Sequence, residues 1–321
     1  METHSFISSS KRPGVHKILL FIFSACLVFL VGDYCFGYIT DWILCSSDFR
    51  FARLYSGRLQ GDVIVLGNSR AVNGFYTPRI SKLTNDRWVN LGYNGMGPSL
   101  VEVLLLDYLD RYPAPRAVIL EVSNIMQGDA SIRDCRLFAR KSPRFAVIDQ
   151  KVNSEIGFLA AHVNTFAANG EMLMRCMYYL MYCDQDWVNE GRIVLEQAAS
   201  LSEKEGRRLE GAVLPESLRI TKRMIKELHQ RGIPTWCVVT PYLLNEKDRI
   251  HAQSWLNQVK EADDVGVHYV NWVENITNPQ LYADPSHLNR QGAISFADVV
   301  ACAYLEHTRL TSQGKQNGQL E

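Results

Sequence analysis

Gly67-Asn68-Ser69 and Asp284-Pro285-Ser286-His287 are the two places in this 321-residue sequence where residue type and spacing could support nucleophilic chemistry. A serine hydroxyl is a poor nucleophile near neutral pH until a base takes its proton. An aspartate and a histidine three residues apart can supply that base. The carboxylate holds one imidazole nitrogen and fixes the tautomer, which leaves the other nitrogen free to accept the hydroxyl proton. A glycine before the serine lets the chain turn sharply, and the Ser69 N–H can then point at a developing oxyanion. Each segment also has an ordinary reading. Ser and Asn are favoured helix caps, and Asp, Pro and Ser form turns beside which a histidine is simply solvated. Their joint occurrence near opposite limits of one domain points to Ser69, Asp284 and His287 as parts of a single site.

The elements that must position them follow from hydrophobic patterning. Residues 62–66, 88–91, 117–122, 233–240 and 267–272 are short apolar runs of the kind that form strands buried on both faces. Helical spacing covers residues 98–112, 215–231, 245–263 and 290–307, with Asn289 placed to cap the last of these. This alternation predicts an α/β fold, a doubly wound parallel sheet whose ligands gather beyond the carboxyl ends of the strands. Ser69 directly follows the first strand, and the Asp284–His287 segment follows the fifth. Residues 125–214 break the alternation with helix-like runs and no clear strand, which predicts a helical insertion.

Two further strand ends carry polar or permissive residues. After the second strand comes Asn90-Leu91-Gly92-Tyr93-Asn94-Gly95-Met96-Gly97, where Gly95 allows close backbone approach and could give a second oxyanion N–H, or form an ordinary turn. After the third comes Asn124, whose amide could be a third donor or whose role could be that of a turn or cap residue. Arg70 could contact an acyl-donor or acceptor group, or could be a solvated helix start. Glu121 reads as a buried strand-end carboxylate with no assigned role. Tyr178, Tyr179, Tyr182 and Trp187 could form a sugar platform, although such clusters are more often core.

Composition narrows the classes. Lys and Arg (34) balance Asp and Glu (34) without a basic stripe, so nucleic acid is not an expected partner. The eight cysteines form no CxxC or Cys/His pattern, and His162, His229, His251 and His268 lack partners at metal-ligand spacing, so neither metal nor cofactor is expected. Cys135, Cys176 and Cys183 could pair in an oxidising compartment.

At the N-terminus, Lys11, Arg12, His16 and Lys17 precede an apolar stretch over residues 18–39, about the length that crosses a ~30 Å hydrocarbon layer as a helix. Asp33 interrupts it, tolerably if it lies near the far interface. Basic residues before the span and acidic ones after it predict a cytoplasmic tail over residues 1–17, a single-pass anchor over 18–39, and an exported body. A linker over 40–60, a domain over 61–307 and a disordered tail over 308–321 complete the expected organisation. A cleavable signal peptide, a lipoprotein box at Phe23-Ser24-Ala25-Cys26 and a buried core helix are the competing readings. The strongly apolar residues after Cys26 favour the anchor.

Taken together, Gly67-Asn68-Ser69, the segment from Asn90 to Gly95, Asn124 and Asp284-x-x-His287 resemble the SGNH/GDSL hydrolase superfamily over residues 62–307, with the middle insertion unmatched. The resemblance implies a flavodoxin-like fold, with Ser69 as nucleophile, Asp284 and His287 completing the triad, and Ser69, Gly95 and Asn124 as oxyanion donors. The sequence departs from the family pattern at Asn68, where Asp is usual, and at Glu121-Val122-Ser123-Asn124, where Gly-x-Asn-Asp is usual. Without Asn124, activity would rest on two backbone donors. An N-terminal anchor before a divergent domain of this kind is more loosely similar to DltD-like and alginate O-acetylation-like proteins of bacterial envelopes. That likeness implies an extracytoplasmic serine esterase or O-acyltransferase acting on acyl esters of a cell-envelope or exported polysaccharide. Its expected partners are an acyl donor, a carbohydrate acceptor and a membrane-bound acyltransferase. The alternative is a non-catalytic glycan-binding or assembly subunit.

Overall fold

Strands that are apolar at every position must be covered on both sides, and the five runs satisfy this by forming one sheet between two helical layers. In a computed structural model of the chain, residues 14–126, 128–168, 170–182, 190–209, 213–260 and 266–317 are described. β1 (Val63–Leu66), β2 (Trp88–Asn90), β3 (Ala117–Glu121), β4 (Thr235–Val239) and β5 (Val267–Asn271) pair in parallel in the order β2-β1-β3-β4-β5. This is the flavodoxin-like, doubly wound order, and its switch point lies between β1 and β3. All residues of β1 to β4 are buried, and only the edge strand β5 is partly open.

Alternate strand residues feed the two layers. Ile64, Leu66, Val118 and Leu120 face a core built with α1 (Val15–Ser46), α2 (Arg50–Tyr55), α5 (Pro98–Arg111), α11 (Pro215–Gln230) and α12 (Glu246–Val259). Val63, Val65 and Ile119 face the opposite layer of α3 (Ser69–Gly74), α4 (Thr77–Thr84) and α13 (Arg290–Asn317). Between β3 and α11 lies a helical insertion. It carries α6 (Pro143–Val152), α7 (Ser154–His162), α8 (Asn164–Ala167), α9 (Gly170–Tyr178) and α10 (Ala198–Leu209), with no strand among the described residues.

Two expected boundaries are corrected. Residues 40–60 are not a linker. Thr40, Ile43 and Leu44 of α1 are buried, and Phe51, Leu54 and Leu59 are fully so. Each such large side chain contributes roughly 1.5–3 kcal/mol by leaving water, so this stretch is part of the core. The tail expected from residue 308 begins inside α13, which runs to Asn317; residues 318–321 lie outside those described, as do residues 1–13 of the expected cytoplasmic tail.

α1 is long and apolar enough to cross a membrane, and none of its apolar stretch is covered by the rest of the protein. Beyond that stretch the helix becomes part of the body. The Asp33 carboxylate accepts hydrogen bonds from the backbone N–H groups of Asn164 (3.1 Å) and Thr165 (2.8 Å) and from the Thr165 hydroxyl (2.9 Å), which joins α1 to the start of α8.

Candidate active site

β1 delivers the chain into a turn that only glycine fits. Gly67 has φ +153°, and a Cβ there would come within 2.7 Å of Glu121 Cβ and 3.0 Å of Ala71 Cβ. Gly67→Ala is therefore expected to destabilise the protein by about 1–3 kcal/mol through overpacking, and to displace Ser69. Urea denaturation read beside ester turnover checks both. Asn68 caps α3 by accepting the Arg70 N–H (2.9 Å), and Ser69 opens that helix. Asn68 and Arg70 are buried while Ser69 is half-buried, so the turn presents the serine alone to solvent.

The partner residues come from a tight hairpin that sequence patterning did not distinguish from a loop. β6 (Tyr282–Asp284) and β7 (His287–Leu288) pair antiparallel, with Asp284 directly opposite His287 across Pro285 and Ser286. His287 Nδ1 lies 2.9 and 2.8 Å from the two Asp284 carboxylate oxygens, and His287 Nε2 lies 2.6 Å from Ser69 Oγ. The structure thus brings together three side chains that stand up to 218 positions apart in the chain. The Ser286 N–H and hydroxyl each donate to Asp284 Oδ1 at 2.9 Å, on the same oxygen that faces His287 Nδ1, and so help to fix the carboxylate.

Burial pushes the Asp284 pKa up. The hydrogen bond and charge of His287, with the two bonds from Ser286, outweigh that and leave it below its ordinary 3.8. A carboxyl held below its unfolded value adds stability that is fully present above that value and is lost as pH falls through the folded one. The stability gap between the parent and Asp284→Asn should therefore close as pH falls below 3.8. Denaturant titrations at several pH values measure it.

Beneath the serine sits a buried ion pair that the sequence did not reveal. Arg70, read as a contact for an acyl group or as a solvated residue, is instead only 3% exposed. Its Nε meets Glu121 Oε1 at 3.3 Å, and its guanidinium donates to Ser286 O (3.2 Å) and to Thr240 O. It also lies 3.1 Å over the Tyr242 ring. Glu121, given no role by sequence reasoning, accepts from Ser123 Oγ (2.7 Å), which in turn receives the Asn68 amide at 3.4 Å. One arginine thus links the Ser69 turn, the ends of β3 and β4, and the hairpin that carries His287.

The remaining predicted residues lie at the same sheet edge. Gly95 has φ +68°, a left-handed conformation that favours glycine, and a Cβ there would meet nothing within 4 Å. Its loop is tied to the Ser69 turn, since Tyr93 N–H donates to Gly67 O (3.2 Å) and the Asn90 amide donates to Ala71 O (2.8 Å). Asn124 is buried in a single-turn helix at Val122–Met126, next to the Ser123 that contacts Asn68. Among the described residues, no protein acceptor takes the N–H of Ser69 or Gly95, and no protein partner engages the Asn124 amide. Groups of this kind can receive an oxyanion.

No group of acidic, His or Cys side chains among the described residues could hold a metal ion. Cys135 and Cys176 are buried with no disulfide between them, and Cys183 lies outside the described residues. Of the aromatic cluster, Tyr179 stacks on Phe49, whereas Tyr178 and Tyr182 are exposed and stack on each other at 4.5 Å; Trp187 is outside the described residues.

No protein-family model matches the chain, and no curated protein matches it. Among solved structures, an acetyl xylan esterase superposes with a TM-score of 0.38 at 15% identity, over 75% of this chain and 98% of that one. So loose a superposition carries no argument about the chemistry of this chain.

Proposed function

We propose that the chain is a membrane-anchored serine esterase or O-acyltransferase of SGNH/GDSL type, acting on acyl esters of an envelope or exported polysaccharide. The observation that carries this reading is the continuous line from Asp284 through His287 to Ser69, with a 2.6 Å contact between Nε2 and the hydroxyl. Ser69 attacks the ester carbonyl as His287 takes its proton. The N–H groups of Ser69 and Gly95, with the Asn124 amide, hold the tetrahedral oxyanion. Collapse expels the alcohol, protonated by His287, and leaves an acyl-enzyme. Water or a sugar hydroxyl, deprotonated by the same imidazole, then takes the acyl group.

The unbroken helix α1, with its far end packed in the body, supports an uncleaved anchor. The basic residues before it support an extracytoplasmic body. A polysaccharide acceptor and a membrane-bound acyltransferase as donor partner follow from the likeness to envelope acylation proteins.

The test is labelling of the full-length chain by a fluorophosphonate probe beside Ser69→Ala. Selective labelling of the parent is expected. Equal labelling of both proteins, or none of a folded parent, would favour the non-catalytic glycan-binding or assembly role. Truncating at the expected linker would cut through buried residues of α1, so the full chain is the right material. Asn124→Ala is expected to lower kcat by about 10²–10³-fold. Steady-state kinetics on an activated acetyl ester reads this directly.

A further inference from the structure

One stretch of the insertion exposes apolar side chains with few charges beside them in the chain. Between residues 156 and 182 the only Asp, Glu, Lys or Arg residues are Glu171 and Arg175, and these pair with each other at 3.0 Å. Soluble surfaces carry roughly 25–35% charged residues. Here Ile156, Phe158, Phe166, Met174, Met177 and Met181 are exposed instead.

The place of this surface relative to α1 says what covers it. Counted from Ile18, the first residue past the basic cluster, residues 18–32 rise about 22 Å as a helix, so in a ~30 Å hydrocarbon core Asp33 falls in the outer part of that layer, near its far interface. Asp33 is bonded to Asn164 and Thr165, the first residues of α8. The start of α8 therefore stands at the same height. Phe166 follows directly, α7 packs against α8, and the Phe158 ring rests 4.6 Å from that of His162 at the α7 terminus. On α1 itself, Tyr34 and Tyr38 are exposed just past Asp33, as in the aromatic belts of membrane interfaces.

We infer that the corner between α7 and α8 lies on the bilayer surface, with Phe158 and Phe166 at the boundary between headgroups and acyl chains. Phospholipid is thus the partner of this face. The inference rests on α1 being an uncleaved anchor. An interfacial apolar face of this kind sits about 5–10 Å into the headgroup region.

The full-length chain, reconstituted in phosphatidylcholine vesicles, tests it with one tryptophan added at a time. The sites are Phe166→Trp, Phe21→Trp within the apolar stretch of α1, and Leu83→Trp on α4, in the helical layer opposite that of α1. The emission each adds to the parent chain is compared in plain lipid and in lipid brominated high on the acyl chain. Bromine should quench the added emission at positions 21 and 166 and leave that at 83 unchanged. Quenching at 21 with position 166 behaving like 83 overturns the surface contact and leaves the anchor standing. Absence of quenching at 21 removes the anchor, and this inference with it.

Discussion

Ser69→Ala is expected to lower kcat on an activated acyl ester by about 10⁶-fold, and Asp284→Asn by about 10⁴-fold. Both effects follow from the same line of contacts. Removing the hydroxyl leaves His287 with nothing to activate, so only the oxyanion donors and substrate binding remain to assist water. Removing the Asp284 charge keeps the side chain's size but lets the imidazole adopt the tautomer that donates toward Ser69 instead of accepting from it. The losses should not add, because the three residues act as one unit. The double variant is expected to be about as slow as Ser69→Ala alone. Single-turnover assays with an acetyl or longer acyl ester, with circular dichroism to confirm folding, would check it. Retention of more than a tenth of the parent rate by Ser69→Ala would remove Ser69 from the chemistry.

The second large effect concerns Arg70. Arg70→Met leaves the Glu121 carboxylate, whose side chain is fully buried, without its counter-charge. Breaking a buried pair in this way typically costs about 3–5 kcal/mol, which for a domain of this size lowers Tm by on the order of 10 °C. Adding Glu121→Gln removes the stranded charge and should recover much of that loss. Turnover should not recover with it, since Ser286 O and Thr240 O still lack the guanidinium that holds the histidine hairpin against the nucleophile turn. A pair of variants in which stability returns and kcat stays low identifies Arg70 as a positioning residue. Parallel recovery of both would make the pair purely structural. Differential scanning calorimetry and steady-state kinetics on the same preparations separate these outcomes.

The strands were legible because a strand covered on both faces must be apolar at consecutive positions, and the sequence shows five such runs. The ends of those strands directed attention to Ser69 and to the Asp284–His287 segment for the same reason. Arg70 was not legible. Its partners Glu121, Thr240 and Ser286 stand 51, 170 and 216 positions away, and nothing local to an arginine after a serine says that it is buried. The hairpin of β6 and β7 was hidden by its brevity, since Asp-Pro-Ser-His satisfies every rule for an irregular loop. Residues 40–60 were misread because position next to an apolar span suggested a tether, while Phe49, Phe51 and Leu54 already carried the apolar load of a packed segment. The α4 helix was missed although Pro78 near its start is a recognised opening signal.

The absence of a tether has its own consequence. With Gly37, Thr40, Ile43 and Leu44 of α1 buried in the body and Asp33 bonded to α8, stalk and head form one piece. A protein on a leash samples a hemisphere of space around its attachment point. Seated in a bilayer, this one would glide across a plane, its serine at a constant altitude. Under the proposed acyl-transfer activity, turnover would follow how many acceptor groups pass through that thin slab, and a dense glycan held above it would go unmodified.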